Sequence, residues 1–107
     1  MRYQLSRRAA QAEIEIIDYR YEAAGLASAT KLRAQLLVAY EFISANPGVG
    51  QYRSDIAPRK YKFYFSRPYW IVFEVNQENE LVTILTVIDA RRDVSTVLDQ
   101  ALRPTEE

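Results

Sequence analysis

Two adjacent arginines near the end of the chain, Arg91 and Arg92, are the side chains best suited to chemistry. They follow an apolar run over residues 81–88 and are flanked by Asp89 and Asp93. An apolar strand would deliver them to the rim of a sheet, where each guanidinium offers a rigid fork of donors to phosphate or carboxylate. The cluster of Asp89, Arg91, Arg92 and Asp93 is therefore a candidate for target or partner contact through phosphate or carboxylate, in which the two aspartates could serve only to hold the arginines in place. The alternative is a solvated charge cluster at the start of a terminal helix.

Histidine and cysteine are both absent from the chain. The sequence thus lacks the usual nucleophile–base pairs and the commonest metal ligands, and it cannot form a disulfide. Any catalysis would depend on carboxylate, lysine, arginine or tyrosine side chains. We therefore expect no metal ion and no cofactor.

The zero net charge conceals a basic middle and an acidic end. Residues 51–69 contain one carboxylate, Asp55, and the basic side chains Arg53, Arg59, Lys60, Lys62 and Arg67. An enzyme acting on nucleic acid usually has a basic surplus over the whole domain, because phosphate contacts supply most of its affinity. This local patch is compatible with RNA binding but does not require it.

Two amphipathic helices are predicted in the first half of the chain. The first begins after an N-cap at Ser6 and ends at Gly25, with its apolar stripe formed by Ala10, Ile14, Ile17, Tyr21 and Ala24. The second spans about residues 28–44 and ends at Asn46-Pro47-Gly48. Its stripe comprises Ala29, Leu32, Leu36, Ala39 and Ile43, widened by Leu37 and Tyr40. So short a connection predicts an antiparallel helical hairpin.

The remaining pattern predicts a sheet. Residues 60–65, 69–75 and 81–88 read as three strands of an antiparallel meander, with the polar loop 76–79 before the last strand. Residues 2–5 predict a further strand at an edge of the sheet. The expected fold is α+β: a sheet packed against a helical hairpin, in the order β-α-α-β-β-β, with a short C-terminal helix over 94–102 that Asp93 could cap.

The length fits one domain over residues 1–107. Residues 1–5 lack the apolar core of a signal peptide, and no stretch approaches the roughly 20 apolar residues that span a bilayer. We therefore expect a cytoplasmic protein.

This layout resembles the ParE/RelE superfamily of bacterial toxins over nearly the whole chain. The residues that carry the resemblance are Asp18-Tyr19, Asn46-Pro47-Gly48 with Gly50 and Arg53, Arg67 through Phe73, and Ala90-Arg91-Arg92-Asp93 with Val94, Val97 and Leu98. Members of the ParE branch commonly have His-Gly before Arg-Arg-Asp, whereas this chain has Asp89-Ala90. The departure leaves the expected fold unchanged and alters whatever the histidine position does.

One branch, the RelE-like toxins, implies a ribosome-dependent mRNA endonuclease. Lys60, Lys62, Arg67 and Arg91 would then form the catalytic set beside Tyr64, and a lysine could act as the base if burial lowered its pKa. RelE-like toxins also use a tyrosine or histidine in the tail, and residues 93–98 contain neither. The alternative is that Lys60, Lys62 and Tyr64 form the solvent face of an amphipathic strand.

The ParE branch implies a toxin that inhibits DNA gyrase by binding, without catalysis, and that forms a hetero-oligomer with a ParD-like antitoxin. Such an antitoxin lays a disordered segment along the outer surface of the hairpin and the adjoining sheet, where it folds on binding. The resemblance places Asp18, Tyr19, Glu22, Arg33, Tyr40 and Trp70 on that surface. Neither membrane association nor sequence-specific binding of nucleic acid is expected. An antitoxin-binding domain without toxicity is a third reading, and a purely structural role is the alternative for each aromatic residue.

Overall fold

The computed structural model describes residues 1–102, and these form a five-stranded sheet with helices on both faces. Its elements are β1 (Arg2–Leu5), α1 (Arg7–Ala45), β2 (Gln51–Tyr52), β3 (Lys62–Ser66), β4 (Tyr69–Asn76), β5 (Leu81–Asp89) and α2 (Val94–Ala101). The predicted α+β class is confirmed. The short strand β2 is not predicted from the sequence, because two residues are too few to show a periodicity.

The strands lie in the order β1-β5-β4-β3-β2. β3, β4 and β5 form the predicted antiparallel meander, and β1 occupies an edge as expected. β1 runs parallel to β5, with Leu5 opposite Ile84. Parallel neighbours need a long connection, and here α1 and the strands β2, β3 and β4 all lie between β1 and β5 in the chain.

The segment α1 is the predicted hairpin, since its helical path breaks at Gly25 (φ 87°, ψ 179°). We refer to residues 7–24 as the first arm and residues 26–45 as the second arm. The Tyr40 hydroxyl on the second arm donates to Glu13 Oε2 on the first at 2.9 Å. In a continuous helix these residues would lie about 40 Å apart, so the contact requires that the arms run antiparallel.

The cap at Ser6 ties the first arm to the sheet. Its Oγ accepts from the Ala9 amide at 3.1 Å and donates to the Leu85 carbonyl at 3.0 Å. The predicted N-cap is confirmed, and the same side chain bonds to the central part of β5. The helix start is thereby fixed in both position and direction.

The core beneath the hairpin confirms the five-residue stripe predicted for the second arm, all of which is buried. Tyr40 widens this face as predicted, whereas Leu37 does not, because it is 48% exposed. The stripe predicted for the first arm is wrong, except that Ile17 is half-buried. Ala10 and Ala24 are exposed, as are Ile14 (54%) and Tyr21 (53%). Ala9 and Ile16 face the core instead. The small side chain of Ala9, fully buried, lets the first arm approach the sheet closely, and that contact sets the arm's rotation.

The opposite face of the sheet is covered by α2 and the segment 53–61. Phe63, Val72, Ile88 and Leu98 form its buried centre, with Ile56 and Ala57 packed at one side. Because both faces of β4 and β5 are covered, these strands read as nearly continuous apolar runs. No helix within residues 1–102 has both the length and the apolar character needed to cross a membrane.

A β-bulge at Leu85 interrupts the pairing of β4 with β5. Val72 lies opposite Thr86 and Phe73 opposite Ile84, which leaves Leu85 without a partner. The bulge reverses the side-chain alternation along β5. Val82 and Ile84 face the hairpin before it, and Val87 does so after it, so Asp89 shares the hairpin side with its partner Tyr69.

Gly25 provides a test of the hairpin. No atom lies within 4 Å of a Cβ added there, so Gly25→Ala meets no steric clash, yet its backbone conformation is one that only glycine adopts readily. We expect Gly25→Ala to lower the free energy of unfolding by about 1–3 kcal/mol, measured by urea denaturation. Gly48→Ala is the matched control, because Gly48 is equally open and lacks a positive φ. Equal stabilities of the two variants would contradict this account of the reversal.

Candidate functional site

The arginine pair lies where β5 ends, beside the turn between β3 and β4. The Ala90 amide donates to the Pro68 carbonyl at 2.8 Å, which anchors the start of the pair. Arg91 grips Asp89 with Nε at 3.0 Å and Nη2 at 2.6 Å, and its backbone amide also donates to Asp89 Oδ1 at 2.9 Å. These hydrogen bonds, chiefly those of the Arg91 side chain, hold the pKa of Asp89 below its ordinary value. The guanidinium of Arg91 is therefore held in a defined position although its side chain is largely exposed.

Asp93 has the capping role predicted for it. Its carboxylate accepts from the Thr96 hydroxyl at 2.8 Å and from the Thr96 amide at 3.3 Å, and α2 begins at the next residue. The hydrogen bond from the Thr96 hydroxyl is the main cause of the lowered pKa of Asp93. The side chain of Arg92, between these two ordered aspartates, is exposed.

A cleft of about 620 Å³ opens between the first arm, the end of β5 and α2. Its floor is apolar and includes Ile16, Val87 and Val97, and its rim includes Arg91 and Arg92. The lining is Ala12, Glu15, Ile16, Tyr19, Tyr69, Thr86, Val87, Ile88, Asp89, Arg91, Arg92 and Val97. A cleft with an apolar floor and a cationic rim suits a partner that offers an apolar side chain next to an acidic group.

Tyr19, which the resemblance assigned to antitoxin contact, lies in this same cleft with 71% of its surface exposed. The structure thus brings it together with Asp89, Arg91 and Arg92. Asp18, Glu22 and Arg33 are also exposed on the hairpin. All three can reach a partner without any rearrangement of the fold.

Tyr40 and Trp70 do not lie on that surface. Tyr40 is only 2% exposed, and burial together with its hydrogen bond to Glu13 raises its pKa. The ring of Tyr40 belongs to the hydrophobic core, so the expectation that Tyr40 lies on the antitoxin-binding surface is wrong. Trp70 points to the other face of the sheet, where it is half-buried against Phe65 with ring centroids 4.8 Å apart. The alternation of β4 directs Tyr69 to the hairpin and Trp70 away from it.

The residues of the nuclease reading are not gathered at one point. Lys62 lies in the same cross-strand row as Phe73 and Ile84. Arg67 and Arg91 lie just beyond the row formed by Ser66, Tyr69 and Asp89. The four residue steps from Tyr69 to Phe73 on β4, which separate these two rows, span about 13 Å. Lys60 lies near Lys62, over the ring of Tyr61. The alternative prediction, in which Tyr64 and Lys62 belong to a solvent-facing side of the strand, is also wrong. Tyr64 packs against Phe42, and Lys62 Nζ donates to the Pro47 carbonyl at 3.3 Å.

Two features of this region cannot be predicted from the sequence. The first is the exposure of Ile14 and Tyr21, because their spacing along the helix is the same as that of a buried apolar stripe. The second is the role of Tyr69. Tyr69 lines the cleft and accepts a hydrogen bond from Arg20 Nη2 at 3.2 Å. Arg20 lies on the charged side of the predicted stripe, and only the true rotation of the arm reveals this contact. Within residues 1–102 no three acidic side chains gather closely enough to hold a metal ion.

Comparisons with known proteins agree with this architecture. A family model described as the ParE toxin of the type II toxin–antitoxin system parDE matches residues 3–94. A chain of the chromosomal ParDE toxin–antitoxin system from P. aeruginosa is similar in structure, with a TM-score of 0.70 and 20% sequence identity. The similarity covers 83% of this chain and 95% of that one. No curated protein sequence matches the chain.

The Asp89–Arg91 pair predicts a pH response. Because the folded state lowers the pKa of Asp89, the pair stabilises the fold above the ordinary pKa of aspartate and loses this effect as the pH falls through the lowered value. We expect Arg91→Gln to raise the pKa of Asp89 toward that of an ordinary aspartate, measured by NMR titration of its carboxyl carbon. Arg92→Gln, the control, should shift it less, since Arg92 acts only through its charge. Equal shifts in the two variants would show that the hydrogen bonds are not the cause.

Proposed function

We propose a function for this chain from the family to which it belongs, the ParE toxins of the type II toxin–antitoxin system parDE. The chain is a toxin that binds DNA gyrase and inhibits it without catalysis of its own. A ParD-like antitoxin neutralises it by binding its surface. The cleft at the end of β5 is the part that contacts the target.

The observation that carries this proposal is the arrangement of Arg91 and Arg92 on the rim of an apolar cleft. Both arginines are exposed, while Asp89 and Asp93 are engaged in holding Arg91 and capping α2. Phosphate or carboxylate groups on a target can approach the free sides of both guanidinium groups. Such a rim is suited to recognise a partner by its charge.

The nuclease alternative receives less support. Cleavage of RNA needs a base, an acid and a phosphate clamp around one phosphate. Here the lysines and Arg91 lie toward opposite ends of the strands. Lys62 is moreover engaged with the Pro47 carbonyl.

The outer face of the first arm supports an antitoxin surface. Ile14, Asp18, Tyr21 and Glu22 recur at spacings that place them on one side of a helix, and all four are exposed. This stripe places the apolar side chains of Ile14 and Tyr21 next to the carboxylates of Asp18 and Glu22. It suits an antitoxin segment with apolar and basic residues that folds as it binds.

Tyr19 connects the two surfaces, because it belongs to the first arm and also lines the cleft. An antitoxin segment that covers Tyr19 therefore lies within reach of the arginine rim. We infer that neutralisation operates by covering the rim, so that antitoxin and gyrase compete for one region of the toxin.

Arginine substitution tests the target contact. Arg91→Ala combined with Arg92→Ala should relieve the inhibition of gyrase supercoiling and leave the melting temperature nearly unchanged, because exposed ion pairs add little stability. Arg2→Ala combined with Arg8→Ala is the control, since it removes the same charge from exposed positions elsewhere. Inhibition that survives loss of the rim arginines would refute the proposed contact. If the unmodified chain binds antitoxin but never inhibits gyrase, it is an antitoxin-binding domain without toxicity.

Tyr19 tests the antitoxin contact. Tyr19→Ala should weaken binding of the antitoxin encoded beside the toxin gene by at least about tenfold, since buried tyrosines commonly anchor interfaces. Tyr19→Phe keeps the ring and should retain most of the affinity. Isothermal titration calorimetry measures both constants. An unchanged affinity in Tyr19→Ala would exclude the first arm's cleft side from the antitoxin interface.

A further inference from the structure

A second charged surface lies on the β2–β3 side of the sheet, away from the cleft. It comprises Arg59, Lys60 and Lys62, with Tyr52 and Tyr61 among them, and we call it the cationic edge. Tyr52 belongs to the edge strand β2 and pairs with Lys62 of β3. Arg59, Lys60 and Tyr61 lie in the segment that joins these two strands.

The three cations rest on aromatic rings. The guanidinium carbon of Arg59 is 4.4 Å from the centroid of the Tyr52 ring, and Lys62 Nζ is 5.5 Å from the same centroid. Lys60 Nζ is 5.0 Å from the centroid of the Tyr61 ring. These distances are those of cation–π contacts, which orient a cation without neutralising it.

No carboxylate of residues 1–102 forms an ion pair with these three cations. The neighbouring arginine differs, because Arg53 is bound by Asp55 at 3.0 Å. Arg91 is likewise held by Asp89. The cationic edge therefore keeps its full positive charge although the chain as a whole has none. Such a local field attracts an anionic partner.

We propose that the cationic edge binds the sugar–phosphate backbone of nucleic acid without regard to sequence. The α-carbons of Arg59 and Lys62 can be no more than about 11 Å apart, because only three steps between consecutive α-carbons connect them. A DNA strand carries one phosphate for about every 3.4 Å of helix axis, so the edge faces about three phosphates. Each cation can then neutralise one of them.

The aromatic rings favour nucleic acid over an acidic protein as the partner. Tyr52 is 44% exposed, and its ring and the guanidinium of Arg59 present flat faces on which an unpaired base can stack. An acidic polypeptide would pair with the cations but would have no base to stack on these flat faces. The binding is separate from inhibition of gyrase, because it uses no residue of the cleft.

Fluorescence anisotropy of labelled DNA tests the proposal, with a duplex of about 20 base pairs and a single strand of the same length, and with the logarithm of affinity measured against that of salt concentration. The single strand, whose unpaired bases can stack on Tyr52 and Arg59, should bind at least as tightly as the duplex. The slopes that follow are those for the duplex. Three phosphate contacts predict a slope of about −2.7. Arg59→Gln with Lys60→Gln and Lys62→Gln should lower the affinity at least tenfold at about 50 mM salt and bring the slope near zero. Arg59→Gln with Lys60→Gln alone leaves the Lys62 bond to Pro47 intact, and the slope should then be about −0.9.

Arg2→Gln with Arg8→Gln and Lys31→Gln is the matched control, because it changes the net charge equally at exposed positions on other elements. This variant should keep the affinity and slope of the unmodified chain. Three results would each overturn the proposal: no binding by the unmodified chain at about 50 mM salt, equal losses in the two triple variants, or tighter binding of poly-L-glutamate than of the duplex. The last would assign the edge to an acidic protein. Gyrase inhibition by the cationic-edge variants should equal that by the unmodified chain, because they change no residue of the cleft; a loss of inhibition would overturn the separation of the two activities.

Discussion

The burial of β5 on both faces is the constraint on which the rest of the structure depends. The hairpin covers one face through Val82, Ile84 and Val87, and α2 with the segment 53–61 covers the other through Ile88. β1 and β4 flank the strand, and Ser6 bonds to its backbone. A strand enclosed in this way can be apolar throughout, so polar chemistry is confined to its end. Asp89 and the arginine pair occupy that end.

The bulge at Leu85 turns this packing arrangement into a site. Before the bulge, the even-numbered residues of β5 face the hairpin, and after it the odd-numbered ones do. Asp89 therefore lies on the hairpin side, near the first arm that carries Tyr19. Strict alternation would have turned Asp89 to the other face and separated the two halves of the cleft. Bulges often redirect side chains beside functional sites, and this one brings Asp89 and the arginine pair to the same cleft as Tyr19.

The charges follow a division between paired and unpaired cations. Arg91 and Arg53 are held by aspartates two positions away in the chain, whereas Arg59, Lys60 and Lys62 rest on tyrosine rings. An ion pair with a carboxylate fixes the geometry of a guanidinium but weakens its electrostatic attraction for distant anions. An aromatic ring positions a cation without neutralising its charge. A neutral chain can thus present a shaped contact at one end of its strands and a long-range attraction at the other.

The sequence by itself determined what depends on a few neighbouring residues. Ser6, Asn46 and Asp93 begin or end helices through hydrogen bonds with residues close by in the chain, and Gly25 ends the first arm through its positive φ. These roles could be predicted. The meander, the edge strand β1 and the second arm's stripe could also be predicted, because their periodicity admits one reading. Membership of the toxin family followed from the same local motifs and their order.

Only the tertiary structure decided which side of an element faces inward. The first arm carries apolar residues on two sides, and the side with Ala9 and Ile16 packs against a sheet whose strands come from both ends of the chain, while Ile14 and Tyr21 stay exposed. The hydrogen bond from Tyr40 to Glu13, the bulge at Leu85 and the shared cleft of Tyr19 and Arg91 also depend on residues distant in the chain. Periodicity fixes the spacing of side chains along an element but not its rotation. Rotation is set by shape and volume across the core, where the close-packed interior accepts one arrangement.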